Sequence, residues 1–481
     1  MFLSCGKFNS VKKLFALLLL TPYSFIAFSQ DYSVDKKMGA EGKAMVEATM
    51  GIYQDSVKTR IVSSIGKQLV NNLATQPFPF EFYIVDSGEP NAFALPGGYV
   101  FFTRGILALA NSEHELAGVM GHEIIHSYNR HSIKQKKKGI LPGILQVPEA
   151  LASALGGNGV SRIFSPLSKG GEALMASHSR KDEYEADDLG VKLSAKSGYQ
   201  PKALGDILTT LEKSIEVFTG EKEKPSYFND HPYTPSRVER ITKEAAQLKA
   251  SKTNKVFKDN KDFLRALDGV LVGANPNQGV FKGDWFIHPD LKFKIQIPAK
   301  WARENTPSNV VAADTTESAM MMLEVESKAK TALEAATTFA EAFKKKTGVT
   351  AEVKSDKING LTSSRVSFVQ HGNNTQLTFS SVWIEYGGLI YRIVGGASPG
   401  FEAIVTSQLE SFSSITESER RSVTKRVIRV VETTKGETIK SVSDRNHNLI
   451  NTKLTAAING IKEETVFQQG DLLKIVVEVA Y

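Results

Sequence analysis

Apolar residues recur at every fourth position from Asp55 to Leu73, at Val57, Ile61, Ile65, Leu69 and Leu73, the period of an amphipathic helix. The period then changes. FEFYIVD (80–86) and GYVFFT (98–103) read as strands, separated by the turn-rich GEPNAFALPGG. Ser112 followed by Glu115 predicts a capping box. The helix it opens carries apolar Leu116, Val119, Ile124 and Ile125. A further helical pattern runs from about Glu172 to Lys196 and stops at Gly198 and Pro201, and two more follow near 201–217 and 235–250. Helices, a short sheet and more helices predict a mainly helical α+β unit over residues 30–250.

A lysine-rich stretch, LKASKTNKVFKDNKD (248–262), reads as linker, and 251–275 is assigned to it. LKFKIQI (291–297) alternates strictly, MMMLEVE (320–326) is another strand, and TALEAATTFAEAFKKKTG (331–348) is a helix. LTFSSVWIEYGGLIYRIVGG (377–396) reads as a hairpin turning at Gly387-Gly388. These elements predict a second α+β domain over 276–415. The polar TESERRSVTKR (416–426) leads into a third unit, 424–481, read as strand, helix, helix and strand.

Composition narrows the class. With 41% hydrophobic and 23% charged residues, the 481-residue chain is an ordinary globular protein of two or three domains. Lys7, Lys12 and Lys13 precede an apolar run from Leu14 to Leu20, with a small-x-small exit at Ala27 and Ser29. This predicts a secretory signal over 1–29 and a periplasmic location. The run is short and broken by Pro22, whereas a membrane helix needs ~20 apolar residues. GILPGILQVPEALASALGG (139–157) is cut by Pro142 and Pro148, so no integral span is expected there either. Cys5, the only cysteine, lies in the leader, so a metal site in the mature chain must use histidine and carboxylate. Losing the leader lowers formal net charge from +7 to +4, which gives no argument for nucleic acid.

The chemistry starts at GHEIIHSYNRH, residues 121–131. On a helix His122 and His126 point the same way, so each can offer a neutral imidazole nitrogen to one Zn2+. Glu123 is angled to reach a water on the metal and act on it as general base. An apolar helix would bury two histidines and a glutamate at a cost of several kcal/mol without a metal. His131 is a tempting third ligand, yet the metzincin pattern fails. Position 129 is Asn where that pattern has Gly, and the distal histidine falls one residue early. If the helix continues, His131 lies about 140° round from His126, capping the helix or packing against the fold. SRKDEYEADDLG (179–190) offers a better candidate. There Glu183 could ligate while Asp187, its i+4 partner, hydrogen-bonds the far nitrogen of a ligating histidine. Small Ala186 and Gly190 permit close helix approach.

SEHELAGVMGHEIIHSYNRH, SRKDEYEADDLG, NAFALPGGYVFFTRGIL and HPYTPSRVERI occur in the order of a known family. Over roughly 40–250 the chain resembles the zinc metalloprotease family of HtpX, BepA and the CAAX prenyl protease, a group of gluzincins with a zincin-type fold. The resemblance implies one Zn2+ per chain, with Glu183 as third ligand and Asp187 supporting the site. It implies that His231 lies near the zinc, as a switch or transition-state stabiliser, and that Arg237 faces the active site. Asn91, Ala92, Phe93 and Ala94 become the edge strand along which an extended substrate is laid. Where family members hold a plug over the site, this chain has its Gly/Pro-rich 139–171 loop, expected to gate access.

The chain departs from the family in lacking the membrane helices of HtpX and the prenyl protease, which favours a soluble BepA-like mode. It also lacks the tetratricopeptide tail of BepA. Gly436, Thr438, Asn459, Gly470 and Leu473 resemble a diverged LysM module, which implies peptidoglycan binding through 424–481. FKIQIPAKW resembles the PsbP/Mog1 type, which implies that fold for 276–415. The expectation is a zinc endopeptidase of the cell envelope, cutting misfolded or unfolded proteins. Glu123 serves as base, and His231 and Arg237 stabilise the charged intermediate. The alternative is a chaperone-like or cell-wall-binding envelope protein with little proteolysis.

Overall fold

The computed structural model describes residues 31–137, 178–219, 231, 235–252, 255–316, 318–326, 328–371 and 376–481. The predicted leader and the 139–171 loop lie outside them. The first unit opens with α1 (Ser33–Thr49) and α2 (Ser56–Val70). Asp55 caps α2 by accepting from the amides of Val57 and Lys58, and Ile61, Ile65 and Leu69 are buried as the period predicts. Val57 is exposed, because it sits in the first turn beyond the edge of the core.

Strands β1 (Glu81–Val85), β2 (Ala92–Leu95) and β3 (Tyr99–Thr103) form a sheet in the order β1-β3-β2. β1 runs parallel to β3 and β2 antiparallel to it, so β2 is an edge strand. Short α3 (Arg104–Leu109) follows, then α4 (Glu113–Tyr128) and α5 (His131–Lys137). Ser112 caps α4 through the amide of Glu115. The reciprocal half of the predicted box differs: the Glu115 carboxylate accepts from Asn111 N at 2.7 Å. α6 (Arg180–Lys196), α7 (Ala203–Thr219) and α8 (Pro235–Ala245) complete the unit. α6 opens at Arg180 rather than near Glu172, because Ser179 takes the capping position and accepts from Asp182 N.

α4 and α6 meet where glycine faces glycine. A Cβ at Gly121 would lie 2.9 Å from the carbonyl oxygen of Gly190, and one at Gly190 would lie 2.8 Å from His122 N. Only hydrogen fits at this crossing, and it brings the histidine helix against the acidic one.

Residues 251–275 are not the free linker that their lysines predict. They include a helix at Asn260–Ala266 and a strand at Leu271–Val272, with Phe263, Leu267 and Val270 buried in the core that holds α2, α4 and α7. Glu113, at the head of α4, accepts from the amides of Val256 and Phe257 and ties the segment down. The lysines stay in water while the interspersed apolar residues turn inward.

The second unit carries a seven-stranded antiparallel sheet, faced by the helix Ala332–Thr347, and a smaller four-stranded sheet. Its hairpin turns at Gly387 and Gly388, both at positive φ, as predicted. The third unit has the strand–helix–helix–strand order: Thr424–Glu432, Ile439–Asn446, Thr452–Ile458 and Leu472–Ala480. Leu271–Val272 joins its sheet beside Thr424–Glu432. Ile428, Ile458 and Val476 extend the core of the first unit, so the C-terminal unit is docked on it. Among the described residues no helix is long and apolar enough to cross a membrane.

Candidate metal centre

His122 and His126 sit one turn apart on α4, fully desolvated, and Glu183 projects to them from α6. His231 closes the group from the segment before α8. The Nε2 atoms of His122 and His126 are 2.9 Å apart. Glu183 Oε2 lies 3.6 Å from the first and its Oε1 3.4 Å from the second. His231 Nδ1 is 3.2 Å from both His122 Nε2 and Glu183 Oε1. A tetrahedral ion with bonds of ~2.0–2.1 Å spaces its ligand atoms by about 3.3–3.4 Å. The four donors therefore converge at the separations that a single zinc ion requires.

Electrostatics agree with a cation. Glu183 and Asp187 are both buried, and Arg237 is the positive side chain in contact with both. Burial opposes ionisation of Glu183, but the charge of His231 and hydrogen bonds from His122, His126 and His231 hold its carboxyl well below the usual range. Burial pushes His122 down, yet hydrogen bonds to Asp187 and Glu183 outweigh it and raise the imidazole to about 10. The Glu183 and Asp187 carboxylates, both held below their ordinary values, give the pocket negative charge that a dication would neutralise. Both carboxylate oxygens of Glu123 are buried without a hydrogen-bond partner among the described residues. One lies 3.6 Å from His231 Nε2. Burial pushes the Glu123 carboxyl up from its ordinary value, against the opposing charges of His231 and His122.

Asp187 Oδ1 stands 3.0 Å from His122 Nδ1, on the side away from the donor cluster. Arg237 contacts the acidic residues of α6 and the backbone of His231. Its Nε and Nη2 fork onto Asp187 at 2.9 and 2.8 Å, and Nη1 reaches Glu183 at 2.8 Å and the His231 carbonyl at 3.3 Å. Buried and bonded to Asp187, Glu183 and the His231 carbonyl, the guanidinium is placed to brace the carboxylates. His231 lies beside the other donors, its ring a fourth possible donor within the cluster. Asn91, Ala92, Phe93 and Ala94 lie on the edge strand, but all four are buried in this conformation. Ser127 of α4 holds that strand, donating to Leu95 O and accepting from Gly98 N.

Two histidines have contacts that residue spacing did not foretell. His178 stacks on His126 with ring centroids 3.9 Å apart, and burial pushes its imidazole down to about 3. His131 does not lie round the far side of a continuous helix. Asn129 ends α4 and Arg130 adopts φ 59°, which folds His131 back against His126.

The description of peptidase family M48 matches residues 56–245. The beta-barrel assembly-enhancing protease of Escherichia coli (strain K12) is 27% identical over 260 residues, covering 52% of this chain and 51% of that protein. The mitochondrial metalloendopeptidase OMA1 of Schizosaccharomyces pombe is 30% identical over 184 residues, 38% of this chain and 52% of that one. The chain thus spans about half the length of the curated relatives it matches. Cyanobacterial PsbP from Synechocystis overlays 28% of this chain and 96% of its own at 12% identity with a TM-score of 0.23, too low to assign a fold. Family match, relatives and donor cluster coincide on one stretch: residues 56–245 match peptidase family M48, and the histidine and glutamate donors lie within them.

Proposed function

We propose that the protein is a zinc-dependent endopeptidase, with His122, His126 and Glu183 holding one Zn2+. The convergence of these donors beside the unpartnered Glu123 carboxylate is the observation that carries this reading. A zinc ion there supplies the Lewis acidity that polarises a scissile carbonyl and acidifies water. Glu123 takes the proton from the attacking water and delivers it to the leaving amine. Asp187 fixes the His122 tautomer, and Arg237 holds Glu183 and Asp187 in place. His231 would offer a fourth nitrogen donor beside the metal, where it could act as a switch or stabilise the transition state.

We assign the enzyme to the periplasm, with unfolded or misfolded envelope proteins as substrates. The predicted leader and the similarity to an assembly-enhancing protease support this. The third unit is proposed as a LysM-like peptidoglycan tether on its strand–helix–helix–strand order. One of its matching residues is structural: the Asn459 side chain pairs both ways with the Lys474 backbone at 2.8 Å.

Digestion of casein by wild type and Glu123→Gln tests the proposal. Wild-type cleavage with loss of at least a hundredfold in the variant is expected. Equal activity of the two would refute it.

A further inference from the structure

His131 fails the spacing of a ligand, yet it is wired into the site. It has no solvent exposure, and its Nδ1 lies 3.0 Å from Nδ1 of His126. Its other nitrogen, Nε2, is 3.4 Å from Glu185 Oε2 and 3.9 Å from Asp182 Oδ1. The backbone that puts it there is unusual. Arg130 is one of four non-glycine residues at positive φ among those described. An ion pair with buried Asp35 of α1 holds it, Nε donating to Oδ1 at 2.9 Å, and its guanidinium lies 5.1 Å from the Tyr32 ring centre.

Two readings compete for this group. His131, Asp182 and Glu185 bring three donor atoms within metal-binding reach of one another, which would make a second cation site. Counting protons decides between them. His126 faces the main donor cluster with Nε2, so ligation there requires its single proton on Nδ1. Only one proton fits between two Nδ1 atoms 3.0 Å apart, so His131 Nδ1 must accept it. A neutral His131 then carries its own proton on Nε2, on the side of Glu185 and Asp182, and has no lone pair left there for a metal. A metal on His131 Nε2 would shift the proton to His131 Nδ1. That shift would deprive His126 of the tautomer it needs. The two sites exclude each other.

Resting on the metal reading above, we propose that His131 is a positioning residue for His126. It accepts the Nδ1 proton of His126, and its own proton sits on Nε2, near the Glu185 carboxylate 3.4 Å away. The ring of His126 is thereby fixed in the tautomer and orientation that present Nε2 to the metal. His122 receives the same service directly from the Asp187 carboxylate, whereas His126 receives it through an intervening imidazole. Asn129, which donates to Glu185 Oε1 at 2.9 Å, keeps the far carboxylate in reach.

The test is zinc affinity of the full chain, measured by competition with a chromophoric chelator. Wild type is compared with His131→Phe, which keeps a ring but offers no acceptor, and His131→Asn, whose amide oxygen can replace Nδ1. His131→Phe is expected to bind zinc about 10–100-fold more weakly and His131→Asn within about threefold of wild type. In 15N-histidine spectra of the zinc-loaded wild type, His126 should carry its proton on Nδ1 and His131 on Nε2. His131→Phe binding zinc as tightly as wild type, with unchanged circular dichroism, overturns the proposal. So does a second zinc equivalent in wild type that His131→Phe loses. If His131→Phe does not fold, the wild-type spectrum decides, and the reverse tautomers overturn it. Wild type that binds no zinc at all would instead refute the underlying metal reading.

Discussion

Lys474 Nζ donates to the carbonyl oxygen of Ala108 at 2.8 Å, across 366 residues of chain. It also reaches Leu109 O and Ala110 O, so one buried ammonium satisfies the carbonyls at the C-terminal end of α3. Burial pushes its pKa down to about 7, and the nearby Glu115 charge partly offsets that. The C-terminal unit is thus pinned to the first unit by polar contacts as well as by apolar packing.

Lys474→Met keeps the bulk but leaves these carbonyls unsatisfied. A loss of about 1–3 kcal/mol is expected. Urea unfolding should show a lower midpoint, whereas an unchanged midpoint would mean that the contact carries no stability.

Gly190 sets the distance between the two ligand-bearing helices. Gly190→Ala places a methyl 2.8 Å from His122 N, where backbone must shift. Zinc affinity should fall at least tenfold, as read by chelator competition, with a lower melting temperature. Wild-type affinity would show that the crossing has slack.

Arg237→Lys separates two roles. A lysine cannot reproduce the fork onto Asp187 together with the contact to Glu183. If the guanidinium braces the carboxylates, zinc binding weakens about 10–100-fold. If it acts on the transition state, kcat falls while zinc affinity stays constant.

His288 makes the second unit sensitive to acid. Burial pushes its imidazole down to about 4, and the neutral ring accepts from Leu291 N at 3.2 Å. The unfolded chain binds this proton near the ordinary value of about 6.5, the folded one only lower. The stabilising effect is therefore complete above pH 6.5 and is lost as pH falls toward 4. His288→Asn, which can still accept but does not titrate, should flatten the fall in melting temperature between those pH values. An identical slope in variant and wild type would contradict this.

Much of the site is legible in local spacing. H-E-x-x-H places two imidazoles on one helical face, and Glu183 and Asp187 share another, so their pairing needs only a close crossing at Gly190. What local spacing does not encode is the return of the chain at Arg130. Its left-handed conformation depends on Asp35, 95 residues away in sequence, and so His131 reads as a distant helix position. The lysines of 251–275 mislead in a similar way. Their charge signals solvent, while Phe263 between them is fixed by packing against distant helices. Arg237 reads as an active-site cation, and only the tertiary arrangement reveals its contacts with Asp187, Glu183 and the His231 carbonyl.

Zinc stoichiometry of the purified chain, by inductively coupled plasma mass spectrometry, tests the central claim most directly. One zinc per wild-type chain and almost none in a folded Glu183→Ala variant is the predicted result. A wild-type chain without zinc, or full occupancy after Glu183 is removed, would contradict it.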